Sequence, residues 1–234
     1  MGGRLIRNLV ATMKKTHLKL PIVQPVAVAV SGGADSTALA ILLAKYGRRI
    51  VDRRQLSIVH LSHHWREGAR DRDLANVQEL ANRLGLKLLH GELESPRVGV
   101  NLENDARGKR LDFFRRIATS KKGDKKQFRF IFTAHHLDDI AETNLWRILR
   151  GQWSTHSDGI RLKDSFLLRP LLNVRKNDLE AFCVEENAQT IQDPTNKDPK
   201  YFRGLVRSEV FPALAKSGFD PVNAFAGLTS KRRQ

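Results

Sequence analysis

Short apolar runs alternate with longer amphipathic stretches along the first 150 residues of the chain. The runs are rich in aliphatic and β-branched residues and predict buried strands at 26–30, 56–61, 87–91 and 128–134. The stretches between and after them space their apolar residues as helices do, at 37–46, 71–84, 102–118 and 139–150. Strands that alternate with helices in this way build a parallel sheet with helices on both faces. The hydrophobic pattern therefore predicts an α/β fold.

The pattern changes after Gly151. Residues 152–165 look irregular, 169–172 form a short rigid segment, and amphipathic stretches at 174–186 and 203–215 predict helices. We expect three parts: a basic N-terminal helix or extension at 1–24, an α/β domain at 25–173, and a small helical extension at 174–234.

The first predicted strand ends in a glycine turn, Ser31-Gly32-Gly33-Ala34-Asp35-Ser36, directly before a predicted helix. Successive backbone N–H groups in such a turn form a concave anion site, and the helix N-terminus adds positive partial charge. Glycine allows both the backbone angles and the close approach of a phosphate. The turn is neither a Walker A loop nor a G-x-G-x-x-G dinucleotide loop. It predicts a phosphate site of another kind.

Polar clusters follow three of the predicted strands, at 31–36, 60–66 and 135–139. The carboxyl ends of parallel strands share one edge of a sheet, and ligands bind there where the strand order reverses. We therefore expect the three clusters to converge on one crevice.

The chain is strongly basic, with 41 Lys+Arg against 25 Asp+Glu and a formal net charge of +16. Such an excess favours a polyanionic partner, because neutralised phosphates release their counterions. A solvated basic surface is the alternative explanation. The lysines of a polar connector, Lys121, Lys122, Lys125 and Lys126, are candidate contacts to such a partner.

Cysteine count and hydropathy exclude several classes of protein. The single cysteine, Cys183, excludes a disulfide framework and a CxxC metal or iron–sulfur site built from this chain. No apolar run reaches the roughly 18 residues of a membrane helix, so we expect no membrane partner. Residues 1–24 are basic and lack acids, which suits an amphipathic helix or an organellar transit signal. We expect a cytoplasmic location, with a mitochondrial or plastid one as the alternative, and a homodimer is compatible with the sequence.

The glycine turn resembles the PP-loop of the ATP pyrophosphatase superfamily, S-G-G-x-D-S, whose members cleave ATP between the α- and β-phosphates. Further segments, taken in order, resemble the bacterial tRNA(Ile)-lysidine synthetases. They are 60–66, Glu103-x-x-Ala106-Arg107-x-x-Arg110, 133–143, 149–151, 169–172, and 193–196 followed by Arg203 and Arg207. The resemblance spans about residues 26–214 and implies a Rossmann-like, adenine nucleotide alpha hydrolase-like fold.

The reaction of that family joins lysine to carbon 2 of the wobble cytidine in the isoleucine tRNA with a CAU anticodon. ATP first adenylates the carbonyl oxygen on that carbon, and the lysine ε-amine then displaces AMP. The resemblance therefore implies ATP as co-substrate, Mg²⁺ as cofactor, and tRNA and L-lysine as partners.

The resemblance also implies roles for individual residues. ATP would be bound by Ser31, Gly32, Gly33, Ala34, Asp35, Ser36, His60, His63 and Arg107. Candidate tRNA contacts are Arg110, Arg150, Arg203 and Arg207. Lysine would be bound by Asp138, Asp139 and Glu142. Asp35, also the candidate Mg²⁺ ligand, forms the predicted catalytic set with Asp138 and Asp139. One of the last two would hold the lysine ammonium and accept its proton.

Simpler explanations of these residues stay open. Carboxylates at a helix start, such as Asp138 and Asp139, are also stabilised by the helix dipole alone. His63 and His135 suit ligand contacts or structural roles, and the arginines at 203 and 207 also suit a solvated helix face.

The sequence departs from the family pattern in three places. After the 149–151 segment the family usually continues with small residues and glycines, whereas this sequence has Gln152 to His156. Gly204 stands where the family commonly has an Asn. Many members carry further C-terminal domains, so this sequence is a minimal form, a fragment, or a protein that recognises RNA differently. Another PP-loop tRNA-modifying or amide-forming enzyme, and a non-catalytic RNA-binding module, are the alternative functions.

Overall fold

A six-stranded sheet forms the centre of the protein. The computed structural model describes residues 1–63, 69–93, 102–118, 128–152, 159–191 and 198–230. The strands are β1 (Val26–Ala29), β2 (Leu56–His63), β3 (Lys87–Leu93), β4 (Phe130–Phe132), β5 (Lys163–Asp164) and β6 (Leu167–Leu168). Their order across the sheet is β3-β2-β1-β4-β6-β5, and all neighbours are parallel except the β5–β6 hairpin.

Helices connect and cover these strands. They are α1 (Gly2–Lys14), α2 (Ala34–Ile41, continued by wider turns at Leu42–Tyr46), α3 (Ala69–Leu84), α4 (Leu102–Ala118), α5 (Leu137–Leu149), α6 (Lys176–Glu185), α7 (Phe202–Leu205, continued at Val206–Val210), α8 (Phe211–Lys216) and α9 (Pro221–Ser230). A single 3₁₀ turn, Arg53–Gln55, precedes β2.

The alternation of side chains along β1 divides the core between the two faces of the sheet. Val26 and Val28 point to one face, where they pack with buried side chains of α1, α2, α3 and α6, whereas Ala27 points to the other. On that other face Phe114 and Ala118 of α4 pack against the sheet. Helices therefore cover both faces, which confirms the α/β fold class.

A separate apolar cluster joins α5 to the C-terminal helices. Ala141 and Leu145 of α5 pack with Val206, Phe211, Val222 and Ala226. This packing fixes residues 202–230 against α5. Because α5 starts directly after β4, the side chains of residues 202–230 are brought towards the edge of the sheet where β4 ends.

The central position of β1 determines where a ligand can bind. The chain passes from β1 to β2 and β3 on one side, and β4 then pairs with β1 on its other side. The strand order reverses between β1 and β4, so the loops after these two strands flank the crevice where parallel sheets bind ligands.

The structure adds elements that the hydrophobic pattern did not predict. The stretch at 152–165 was expected to be irregular, yet its residues 163–164 pair with β6 as an antiparallel edge hairpin. Two-residue strands are too short to show a periodic pattern. Helix α9 was also missed, although Pro221 stands at its first position, where proline is favoured.

None of the helices in the described ranges is both long and apolar enough to cross a membrane.

Gly204 provides a test of the packing of the C-terminal helices. A Cβ at this position of α7 would overlap the backbone carbonyl oxygen of Asp198, so the Asn common in the resembling family does not fit this backbone. Gly204→Ala should lower the free energy of unfolding by about 1–3 kcal/mol, as overpacking does.

Gly108→Ala is the matched control, because Gly108 is exposed within α4 and a Cβ there meets no described atom within 4 Å. It should raise the free energy of unfolding by about 0.5–1 kcal/mol, the helix propensity difference. Urea unfolding of both variants measures the two changes, and a Gly204→Ala protein as stable as the wild type would contradict the packing at Gly204.

Candidate active site

The loop after β1 is held by its two serines. The backbone N–H of Ser31 donates to Ser36 Oγ at 3.1 Å, and Ser36 Oγ lies 3.1 Å from the Gly33 carbonyl oxygen, to which it can donate. The two hydroxyl oxygens are 3.2 Å apart. Gly33 precedes the first residue of α2. The loop therefore places the start of α2, whose first backbone N–H groups have no partner within the helix, at the edge of the sheet.

The left-handed backbone angle of the loop lies at Gly32 rather than Gly33. Gly32 has φ of +93°, and a Cβ there would lie 2.7 Å from Ile191 Cδ1. Gly33 has φ of −70°, and a Cβ there would meet ordinary distances. The Gly32 carbonyl oxygen also accepts the N–H of Ile191 at 2.9 Å. The segment after α6 thus packs against the glycine loop and hydrogen-bonds to it.

Carboxylates and a histidine occupy the turn from β4 to α5. The Asp139 carboxylate accepts the backbone N–H of His136 at 2.9 Å, closing the first turn of α5. Asp138 accepts the N–H of Lys176 at 2.9 Å and lies 3.9 Å from Arg175 Nε. Asp138 therefore caps α6, while Asp139 faces the interior.

The ring of His136 lies between three carboxylates and joins the two loops. Its Nε2 is 3.5 Å from Asp35 Oδ2 and 3.6 Å from Asp139 Oδ2, and its Nδ1 is 3.6 Å from Asp138 Oδ2. Burial alone would lower the pKa of His136, but the three carboxylates outweigh it and raise the pKa to about 10. His136 is therefore an imidazolium at neutral pH. In return its charge keeps the pKa of Asp139 below the usual range despite burial.

An ion pair from the C-terminal helices closes the inner side of the crevice. Arg207 donates to both carboxylate oxygens of Glu142, through Nε and through Nη2 at 2.9 Å. Its Nη2 also lies 3.5 Å from Asp139, and Arg203 Nε lies 3.8 Å from Glu142. Glu142 is 1% exposed, so burial raises its pKa, and Arg207 offsets part of that rise.

His135 is neutral although its neighbour is charged. Thr133 Oγ1 lies 3.1 Å from His135 Nδ1. Desolvation lowers the pKa of His135 to about 4; the Asp139 charge opposes this, and the cations of Arg169, Arg203 and Arg107 add to it. These arginines thus form a cationic side of the crevice near His135, and one of them, Arg203, also lies close to the Glu142 carboxylate.

His60 supports the glycine loop from the neighbouring strand. Its Nδ1 donates to the carbonyl oxygen of Val30 at 2.8 Å, and its ring stacks on His90 with centroids 5.9 Å apart. Burial lowers the pKa of His60, so the ring is neutral and its buried Nε2 has no partner among the described residues. His63 ends β2, and its side chain is outside the described part of the chain.

The structure brings most of the predicted site residues to this edge, but not all. Arg150 lies at the far end of α5 and its guanidinium covers the ring of Trp146 at 4.7 Å, about 20 Å from the start of that helix. Arg110 is exposed on α4, whereas Arg107, exposed on the same helix, is close enough to the crevice for its charge to act on His135. The predicted segments at 64–66, 121–126, 153–156 and 193–196 lie outside the described residues.

Sequence reasoning missed two residues of the site. His136 received no separate role, although a His-His pair at a strand end before two aspartates was the available signal. Arg169 was noted only within a rigid segment, yet it is 6% exposed and its Nη1 donates to the Arg161 carbonyl oxygen at 2.8 Å. No local pattern distinguishes such a buried arginine from a surface one.

The carboxylate of Asp35 is the type of ligand that Mg²⁺ prefers, and it lies beside the candidate phosphate site. Its Oδ2 faces His136, while its buried Oδ1 has no hydrogen-bond partner in the described ranges. Mg²⁺ is usually bound by one or two carboxylates together with substrate phosphates and water. The residues present therefore fit a magnesium ion shared with a bound phosphate. No cluster of three or more His, Cys, Asp or Glu that could hold a metal alone occurs among the described residues.

Comparison with known proteins gives consistent similarities. Residues 5–214 match the family model described as the PP-loop domain. The tRNA(Ile)-lysidine synthase of Thermus thermophilus is 37% identical over 209 residues, which cover 88% of this chain and 38% of that protein. The proteins of the same name from Pseudothermotoga lettingae and Enterococcus faecalis are 33% and 31% identical, covering 94% and 90% of this chain and 48% and 45% of theirs. The chain thus spans less than half the length of these three relatives.

A solved structure shares the fold. The U34-tRNA thiolase NcsA from Methanococcus maripaludis superposes with a TM-score of 0.71 at 17% identity, covering 98% of this chain and 78% of that one.

The two neighbouring histidines should differ in charge at pH 7.5. His136 should be doubly protonated and His135 neutral, against an ordinary histidine pKa near 6.5. The stability that His136 contributes is then complete below pH 6.5 and is lost as pH rises towards about 10. That from His135 is lost as pH falls from 6.5 towards about 4, because the unfolded chain binds the proton first.

Long-range ¹H–¹⁵N NMR of the imidazole groups measures these states. His135→Asn and His136→Asn variants assign the two signals. A neutral His136 ring at pH 7.5 would contradict the charge network.

Proposed function

The chain belongs to the PP-loop family, and from that premise we propose that it is the ATP-using domain of a tRNA(Ile)-lysidine synthetase. It would adenylate the wobble cytidine of the tRNA with a CAU anticodon and join lysine to it. The observation that carries the proposal is the contact of Asp35 and Asp139 with the same imidazolium, His136. This contact brings a phosphate loop and a carboxylate cluster into one crevice.

The glycine loop supplies the nucleotide end of the crevice. Its backbone N–H groups, the hydroxyls of Ser31 and Ser36, and the start of α2 suit the pyrophosphate part of ATP. Charge on the phosphates grows as the bond between the α- and β-phosphates breaks, so fixed donors in a desolvated site lower the barrier. Asp35 would hold Mg²⁺, which neutralises phosphate charge when it is bound.

Asp139 is the better candidate of the two aspartates for the lysine ammonium. Asp138 is engaged with the backbone of α6, whereas in the described part of the chain the Oδ1 of Asp139 contacts Arg207 Nη2 at 3.5 Å. Glu142 adds a second carboxylate one helical turn away, although its oxygens are paired with Arg207. The ammonium of a bound lysine would therefore share the negative charge of Asp139 and Glu142 with the guanidinium of Arg207.

The two chemical steps need no reactant other than ATP, the tRNA and lysine. In the first, the carbonyl oxygen on carbon 2 of cytidine attacks the α-phosphorus, and pyrophosphate leaves. In the second, the lysine nitrogen forms a bond to carbon 2 and AMP leaves with that oxygen. The ε-ammonium must lose a proton before it attacks, and in this proposal Asp139 would first bind the cation and then accept the proton.

The basic character of the protein supports an RNA substrate. The formal charge of +16 suits a partner with many phosphates. Arg203 lies on the cationic side of the crevice and is partly exposed, so it is available to a tRNA phosphate. Arg207 is partly buried, is paired with the buried Glu142, and is better suited to hold the carboxylates in position.

A cluster-dependent thiolation reaction is less well supported. Four cysteines usually hold an iron–sulfur cluster, and this chain has one. That residue, Cys183, is buried and its Sγ donates to the Ala34 carbonyl oxygen at 3.3 Å.

Release of pyrophosphate from ATP tests the reaction class. The protein should release pyrophosphate with ATP, Mg²⁺ and the CAU-anticodon tRNA, and should form AMP in amounts equal to the lysine incorporated. Omission of tRNA should abolish release, whereas omission of lysine should leave only the adenylation of the tRNA present. Release that does not depend on tRNA would contradict the proposal.

Asparagine substitution of Asp139 should separate the two steps. Asp139→Asn keeps an oxygen for the His136 N–H but removes the charge, so tRNA-dependent exchange of labelled pyrophosphate into ATP should persist. Lysine incorporation should fall about a hundredfold, the order of effect expected for a positioned acid–base group.

Asp112→Asn is the control, since Asp112 is 71% exposed on α4 and pairs with Arg115. Its incorporation rate should equal that of the wild type. Loss of incorporation in Asp138→Asn, but not in Asp139→Asn, would assign the ammonium to Asp138 instead.

A further inference from the structure

A surface cavity lies at the opposite end of the sheet from the candidate active site. It has a volume of about 520 Å³ and is lined by Val10, Lys14, Leu18, Leu20, Pro21, Arg48 and Arg49; we call it the basic cavity. Ile22 pairs in parallel with Val51, and both precede their strands, β1 and β2. The basic cavity is therefore at the amino end of the strands, about 25 Å from the glycine loop at the rise of an extended chain.

The charge of the basic cavity is not balanced by acids. Lys14, Arg48 and Arg49 are exposed, and none makes an ion pair within the described ranges. Asp52, the nearest acid in sequence, pairs with Arg54 at 2.8 Å. The only acid in the first 51 residues, Asp35, is in the glycine loop at the other end of the sheet.

The floor between these cations is apolar. Val10, Leu18 and Leu20 are partly buried and pack against the main core, so they form a fixed surface rather than mobile side chains. Cations around an apolar floor fit a phosphodiester whose sugar or base lies on the floor.

We propose that the basic cavity binds the phosphate backbone of the tRNA at a point remote from the nucleotide that is modified. The identity of the RNA rests on the proposed function. The basic cavity would be a second contact with that RNA, in addition to the crevice. Two contacts at opposite ends of the sheet orient a large RNA, whereas a contact at the crevice alone leaves it free to rotate.

The salt dependence of tRNA binding tests the basic cavity. The triple variant K14Q/R48Q/R49Q removes its three charges. If each charge neutralises one phosphate, the slope of log affinity against log salt should become shallower by about 2–3, and affinity at physiological salt should fall about tenfold or more.

The control K87Q/K163Q/K216Q removes three exposed lysines elsewhere, so that net charge is matched. Its slope and affinity should stay close to those of the wild type, and circular dichroism melting should show that both variants are folded. Pyrophosphate release at saturating tRNA should persist in the cavity variant, since the crevice is intact.

Equal slopes and affinities in the cavity variant and the control would overturn the proposal. So would unchanged tRNA binding combined with lost binding to vesicles of anionic phospholipid, which would assign the basic cavity to a membrane surface. A wild-type protein without tRNA affinity overturns it too. A wild type that binds tRNA in a cavity-dependent way but releases no pyrophosphate counts against the proposed function alone.

Discussion

The imidazolium of His136 is the interaction on which the rest of the site depends. Three carboxylates from the first turns of α2 and α5 lie within 3.6 Å of its ring nitrogens, and without that charge they would repel one another in a partly buried crevice. His136 in turn can keep its proton only because the carboxylates outweigh the cost of burial. The glycine loop, the start of α5 and the cap of α6 are thus held by one mutually dependent set of charges.

A second set of charges joins this cluster to the C-terminal helices. Arg207 reaches Glu142 and Asp139 from the segment that follows α7, and the apolar cluster of α5 with α9 positions that segment. Removal of one member of a buried ion pair leaves an uncompensated charge, which is strongly destabilising. Residues 202–230 are therefore part of the candidate site, and not only a support for the sheet.

The two ends of the sheet differ in electrostatic character. At the carboxyl end, carboxylates and arginines neutralise each other around the glycine loop, with Arg107 exposed and Arg203 partly exposed. At the amino end, Lys14, Arg48 and Arg49 surround an apolar floor without acids. The proposed tRNA partner would therefore contact both ends of the sheet, with the proposed reaction at the carboxyl end.

The sequence by itself determined the parallel α/β architecture, because apolar runs of strand length between amphipathic stretches admit few other arrangements. It also determined the glycine loop and the aspartates at 138 and 139, whose signals are local in the chain. Only the tertiary structure decided that Asp138 caps α6, that Asp139 faces inward and that Arg207 pairs with Glu142. The tertiary structure also shows that Arg150 lies away from the crevice and that the residue with a left-handed backbone angle is Gly32. These features depend on contacts between residues far apart in sequence, and side-chain partners at that distance leave no pattern in a single chain.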